Sequence, residues 1–114
     1  MLPRANRISD QESIEKTKKE GVVYQKKNFG VCLLKREDKG PSRFVFIVSS
    51  KITKSAVQRN RITRAMREAI RYSITKMSDG YDAVFLAKKI SARKLTEDIM
   101  NEVNEFLKEA KLVK

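Results

Sequence analysis

The sequence predicts an α+β fold, an α/β sandwich with helices laid over a mixed sheet. Three observations lead there. Four apolar runs of strand length (Val22–Tyr24, Phe29–Lys35, Arg43–Ser50 and Tyr81–Lys88) are separated by turn residues. Two longer stretches carry apolar residues at helical spacing, Ile62, Ala65, Met66, Ala69, Ile70 and Ser73 in one, and Ile99, Val103, Phe106, Leu107 and Ala110 in the other. Helix-start signals precede three segments. The predicted order is helix–strand–strand–strand–helix–strand–helix. With 114 residues, 40% of them hydrophobic, the chain is read as a single domain, 1–114, with a modest core.

Ser9-Asp-Gln-Glu12 reads as a capping box opening a first helix that runs to about Glu20 and stops at Gly21. Its apolar content is thin (Ile8, Ile14), so an edge position is expected. Two strands follow, then Asp38-Lys-Gly-Pro41 as a turn. Arg43–Ser50 has apolar residues on both faces and reads as a central strand. Ser55-Ala-Val-Gln58 is a second capping box, starting a helix near Ala56 that ends near Met77, with Gly80 supplying the exit. After the strand at Tyr81–Lys88, Thr96 reads as the cap of the last helix, with Glu97 and Asp98 at the positive end of its dipole.

The net charge is +12 and the pI is near 10.0, which points to a polyanionic partner. The charges are segregated. Lys51–Lys76 holds eight basic residues against one acid, whereas Glu97–Lys114 holds five acids against three bases. The one cysteine, Cys32, sits in an apolar run and histidine is absent, so an internal disulfide is excluded and a zinc site has no ligand set. Apolar runs such as Phe44–Val48 are far too short to span a bilayer, and the N-terminus lacks the apolar stretch of a signal peptide. These features predict a soluble cytoplasmic protein with no membrane partner.

On the basic helix, Asn60, Arg64, Arg67 and Arg71 fall within roughly 60° of one another and span about 16 Å. Arg59 and Arg61 sit at its start, where free backbone N–H groups favour anions, and Lys51 and Lys54 extend the patch ahead of it. Guanidinium forks pair with phosphate oxygens, so this row suits a nucleic-acid backbone. An ordinary solvated helix face is the plainer alternative, but solubility alone is served by mixed signs, and here only Glu68 interrupts the row.

The segment Ala56-x-x-Arg59-Asn60-Arg61-Ile62-x-Arg64-x-x-Arg67 resembles the signature of the bacterial ribonuclease P protein subunit. The likeness extends to Asn6-Arg7-Ile8, Gly21, Arg43, Tyr81-Asp82 and Ala87-Lys88-Lys89, roughly residues 4–110. It implies a left-handed crossover for the strand–basic helix–strand unit, where general chirality rules favour a right-handed one. It also implies a protein that assists a catalytic RNA in removing the 5′ leader of precursor tRNA by metal-dependent hydrolysis. The partners would be that RNA and the precursor, with no obligate protein partner. Mg2+ would be bound mainly by RNA, with no cofactor or metal on the protein. Arg59, Asn60, Arg61, Arg64 and Arg67 would engage the RNA, and a cleft between the first helix and the sheet would hold the leader.

The chain departs from the family there. Where well-known members present aromatic side chains to the leader, the matching positions are Ile14, Lys18 and Cys32, and Lys18 offers a charge in place of stacking. Where members carry two lysines and a glycine before the basic helix, this chain reads Lys51-Ile-Thr-Lys54. No catalytic residue is expected on the protein: a stand-alone nuclease needs a general base or clustered carboxylates, and the acids here lie mostly on the first and last helices, where they cap or are solvated. Asp79 and Asp82 read as turn residues. A ribosomal protein or a duplex-DNA binder is the rival class, although a DNA reader uses base-reading side chains in the major groove rather than a row of backbone-tracking arginines.

Overall fold

The computed structural model describes residues 2–113, leaving Met1 and Lys114 outside. Helix α1 (Gln11–Glu20) leads into strands β1 (Val22–Gln25), β2 (Phe29–Lys35) and β3 (Arg43–Ile47). The long helix α2 (Ala56–Ser73) follows, then β4 (Tyr81–Ala87) and α3 (Thr96–Glu109). Short 3-10 turns lie at Arg4–Asn6, Ile74–Lys76 and Lys89–Arg93. The strands form one sheet in the order β1-β2-β4-β3, with β1–β2 and β2–β4 antiparallel and β3–β4 parallel. This is the mixed α+β architecture expected. No helix among the described residues is long and apolar enough to cross a membrane.

Strand alternation divides the apolar residues between two faces. Phe29, Val31, Leu33, Phe44, Ala83 and Phe85 point to the side covered by α2 and α3. The centre of that layer is Phe85, whose ring lies 5.5 Å from Phe29, 5.3 Å from Phe46 and 5.6 Å from Phe106. Each fully buried phenylalanine contributes roughly 2–3 kcal/mol. Cys32 and Val84 point to the other side and join Ile8 in a smaller cluster, flanked by half-buried Ile14, Val45, Ile47 and Leu86. That is the face α1 partly covers.

Three expectations are corrected. The cap of α1 is Asp10 rather than Ser9: its carboxylate accepts from Ser13 N at 2.9 Å, and a charged group at this terminus gains from the dipole as a serine hydroxyl does not. Strand β3 lies at the sheet edge, not its centre, and ends at Ile47. Its two apolar faces are explained by the α2–α3 core on one side and the α1-side cleft on the other, and the N-terminal segment protects its open edge, with Ile8 N donating to Phe44 O at 3.0 Å. Helix α3 is preceded by Leu95, which provides no side-chain cap, and Thr96 is its first residue. Arg61 holds the chain just ahead by bonding Lys94 O, so the helix starts one residue early.

Other boundaries agree. Ser55 Oγ accepts from Gln58 N at 3.2 Å, but the reciprocal half of the box is not formed, because Gln58 Oε1 accepts from Arg61 Nε instead. Helical backbone continues past Ser73 as a 3-10 turn to Lys76. Gly80 has φ +88°, a conformation few other residues adopt, and turns the chain into β4.

Candidate nucleic-acid interface

Helix α2 buries Ile62, Ala65, Met66, Ala69 and Ile70 against the sheet and α3, which fixes the opposite face outward. On that face Asn60 and Arg64 are exposed and Arg67 and Arg71 half-buried. The five other arginines and lysines of the predicted patch are not equivalent to Arg61 and Arg71. The side chains of Lys51, Lys54, Arg64 and Arg67 make no hydrogen bond or ion pair among the described residues, and Arg59 uses one nitrogen on Thr53 O at 2.9 Å. Their remaining N–H groups are available to an anion.

Arg61 and Arg71 are engaged within the protein. Arg61 donates to Gln58 Oε1 at 2.9 Å, Lys94 O at 2.9 Å, Ala92 O at 3.3 Å and Thr96 Oγ1 at 3.4 Å. It therefore ties the start of α2 to the segment that enters α3. Arg71 forks onto Glu68 Oε2 at 2.9 and 2.7 Å, with its guanidinium carbon 4.8 Å from the centre of the Tyr72 ring. The Arg71 hydrogen bonds hold the Glu68 carboxyl below its ordinary range, and Glu68 in turn raises Arg71.

The structure adds a basic segment that sequence reasoning did not place. Strands β3 and β4 run parallel, so their C-terminal ends lie at the same end of the sheet. This brings Lys89 and Arg93, in the 3-10 turn after β4, to a groove shared with Ile52 in the loop before α2. The signal available beforehand was the Ala87-Lys88-Lys89 run; its position beside Lys51 and Lys54 follows only from the pairing.

Ile14, Lys18 and Cys32 are brought together on the α1 side of the sheet. Ile14 packs half-buried against the Cys32 cluster, and Cys32 is buried. Burial pushes the Cys32 thiol up, while the charge of Lys18, exposed on α1 one turn beyond Ile14, pulls it the other way. The same face carries half-buried Val45, Ile47 and Leu86, which widen the apolar floor beyond the residues predicted for it.

One end of this cleft is closed by an ion cluster around Asp82, which is not the simple turn residue expected. The buried Asp82 carboxylate accepts from Arg43 Nε at 2.9 Å and Nη2 at 2.7 Å, and from Arg36 Nη1 at 2.5 Å. Hydrogen bonding to Asp82 raises the Arg43 guanidinium despite its partial burial. Arg43 Nη2 also donates to Ser13 Oγ at 3.3 Å, and Nη1 lies 3.9 Å from the Asp10 carboxylate, so the cluster clamps the first turn of α1 to the sheet. Two acids of α3 are also engaged within the protein: Glu102 accepts from Asn28 N, and Glu109 pairs with Lys26. Among the described residues, no group of three or more histidine, cysteine, aspartate or glutamate side chains could hold a metal ion.

Comparison with known proteins agrees with this arrangement. The family model for ribonuclease P matches residues 2–111. A ribonuclease P protein component from Fusobacterium nucleatum is 36% identical over 90 residues, covering 75% of this chain and 80% of that protein. One from Clostridium kluyveri is 41% identical over 78 residues, covering 67% and 69%. The solved Staphylococcus aureus RNase P protein superposes with a TM-score of 0.88 at 26% identity, covering 97% of this chain and 100% of that one. The Thermotoga maritima protein gives 0.77 at 25% identity, covering 90% and 96%. With the arginine-bearing face of α2, the α1-side cleft and the whole sheet inside the matched region, the chain belongs to the ribonuclease P protein family.

Proposed function

We propose that the chain is the protein component of a bacterial ribonuclease P, the endoribonuclease that matures the 5′ end of tRNA, and that it binds the catalytic RNA through α2 and the 5′ leader of precursor tRNA in the α1-side cleft. The observation that carries this reading is the division of labour among the arginines. Arg36, Arg43, Arg61 and Arg71 are bonded within the protein, whereas Arg64 and Arg67 project from one face of α2 with no protein partner among the described residues. Unpaired guanidinium groups on a regular helix favour a phosphate backbone, and Lys51, Lys54, Lys89 and Arg93 extend the same positive surface.

The contribution of such a protein is electrostatic. A catalytic RNA and an RNA substrate repel one another, and a +12 chain between them lowers that repulsion. Bond cleavage and the Mg2+ it uses belong to the RNA in this reading, and the protein supplies no general base. The test is cleavage of precursor tRNA at low magnesium by the protein alone, by a bacterial ribonuclease P RNA alone, and by both. Activity gained only in the combination is the expected result. Cleavage by the protein alone would make it a nuclease in its own right. Failure to help any ribonuclease P RNA would leave a basic binding module of another kind.

A further inference from the structure

A cleft of about 550 Å3 runs between α2 and α3, beside the arginine row and distinct from the α1-side cleft. Its floor is apolar, formed by Ala65 and half-buried Met100, with Val57 at one end, 78% exposed. Its rim is Asn60, Arg64 and Glu68. Two features are unexpected in a surface that only tracks phosphates. Apolar floor is of no use to a phosphate. Glu68, the one acid in the basic stretch, opposes an anion, yet it lines the cleft one helical turn from Arg64. Glu68 Oε2 is held by Arg71, and Oε1 has no hydrogen-bond partner among the described residues. The carboxylate is therefore fixed in orientation with one acceptor oxygen spare.

We propose that this cleft receives an unstacked guanine nucleotide of the catalytic RNA, with the base on Ala65 and Met100, the phosphate on Arg64, and the N1–H and N2–H2 edge on Glu68. Guanine is the base whose two adjacent donors, N1–H and N2–H, converge on a single anionic acceptor such as the spare Glu68 Oε1; uracil flanks its single N–H with carbonyl oxygens that Glu68 repels. An apolar floor accepts the base face, and the free Arg64 and Arg67 of the row beside the cleft account for RNA rather than a protein helix as the occupant. The inference rests on the RNA-binding reading above and assigns to the α2–α3 side a base-selective subsite that backbone tracking alone does not require.

The experiment titrates the full chain, labelled at methionine and alanine methyl groups, with GMP and, separately, with UMP, and follows the Met100 and Ala65 signals. GMP is expected to shift both saturably and to bind roughly tenfold more tightly than UMP. The decisive variant is Glu68→Ala, at a half-buried position in the middle of α2 where alanine favours the helix. If Glu68 reads the base edge, the GMP-to-UMP ratio collapses toward one. If it is only a counter-charge, both nucleotides tighten together and the ratio is unchanged, which overturns the proposal. Equal shifts by both nucleotides in the unaltered chain would reduce the cleft to a phosphate site. Concentration-dependent broadening of Met100 without nucleotide would make it a self-association face. Binding of structured RNA, measured in parallel, separates failures: RNA binding without Met100 shifts overturns the guanine subsite alone, and no RNA binding overturns the reading beneath it.

Discussion

Arg43 grips Asp82 with two nitrogens, Nε at 2.9 Å and Nη2 at 2.7 Å, across the parallel β3–β4 pair, and the same Nη2 reaches Ser13 on α1. One side chain thus fixes the register of two strands and the seat of the helix that covers the cleft. Asp82 is the buried partner, with only 4% of its side chain exposed. Asp82→Ala leaves Arg36 and Arg43 without their shared acceptor and should destabilise the fold by about 3 kcal/mol in chemical denaturation. Arg43→Lys keeps the charge but not the fork, so it should recover less than half of the loss seen for Arg43→Ala. Equal stability of the lysine variant and the original chain would contradict the two-pronged account.

Acid stability follows from Asp10, Asp38 and Glu68. Hydrogen bonds from Ser13, Arg36 and Arg71 respectively hold each folded-state carboxyl below its ordinary range. A lowered folded value means the contribution is complete above the unfolded value and is lost as pH falls through the folded one. The thermal midpoint should therefore be insensitive to these groups above about pH 5 and decline below about pH 4. Asp10→Asn and Asp38→Asn together should flatten that decline, read by melting from pH 2.5 to 7.

Arg64→Ala with Arg67→Ala should cost RNA affinity, about tenfold for each arginine at low salt, while the melting temperature stays nearly unchanged. The slope of log affinity against log salt should become shallower by roughly one to two. Unfolding of the double variant would show that these arginines serve the fold.

Arg61→Ala should behave oppositely, although it stands in the same motif. Its bonds to Lys94 O and Ala92 O are lost, and the start of α3 loosens. A destabilisation of about 1–2 kcal/mol is expected, with amide exchange quickening at residues 94–97. No change in exchange there would return Arg61 to the free arginine row.

Lys18→Ala should weaken leader-bearing precursor tRNA roughly two- to five-fold in the holoenzyme and leave mature tRNA unaffected. An equal loss for both would move the leader contact away from α1.

The elements were legible because local signals are strong here: β2 begins and ends at the predicted residues, and Ser55 caps α2 as its hydroxyl position implies. Sheet order was not legible. A strand apolar on both faces, such as β3, reads the same whether a neighbouring strand or a folded-back N-terminal segment covers its edge, and only the bridge between Arg7 and Phe44 distinguishes them. The arginine row was visible as a periodicity, but which guanidinium groups remain free was not. That depends on carbonyls at residues 92 and 94, some thirty positions away from Arg61. Asp82 looked like a turn residue because its two arginine partners are also remote in sequence, 39 and 46 positions away.

The neighbouring helices α2 and α3 carry opposite signs, arginines on one and Glu97, Asp98, Glu102, Glu105 and Glu109 on the other. In the field of a polyanion such a pair experiences a torque as well as a pull. On the RNA-binding reading proposed above, the acidic side of α3 is turned away while the basic helix is drawn in, which orients the molecule before any contact forms. The acids that contribute nothing to adhesion thereby act as a keel, shortening the orientational search that otherwise slows encounter between a small protein and a large RNA.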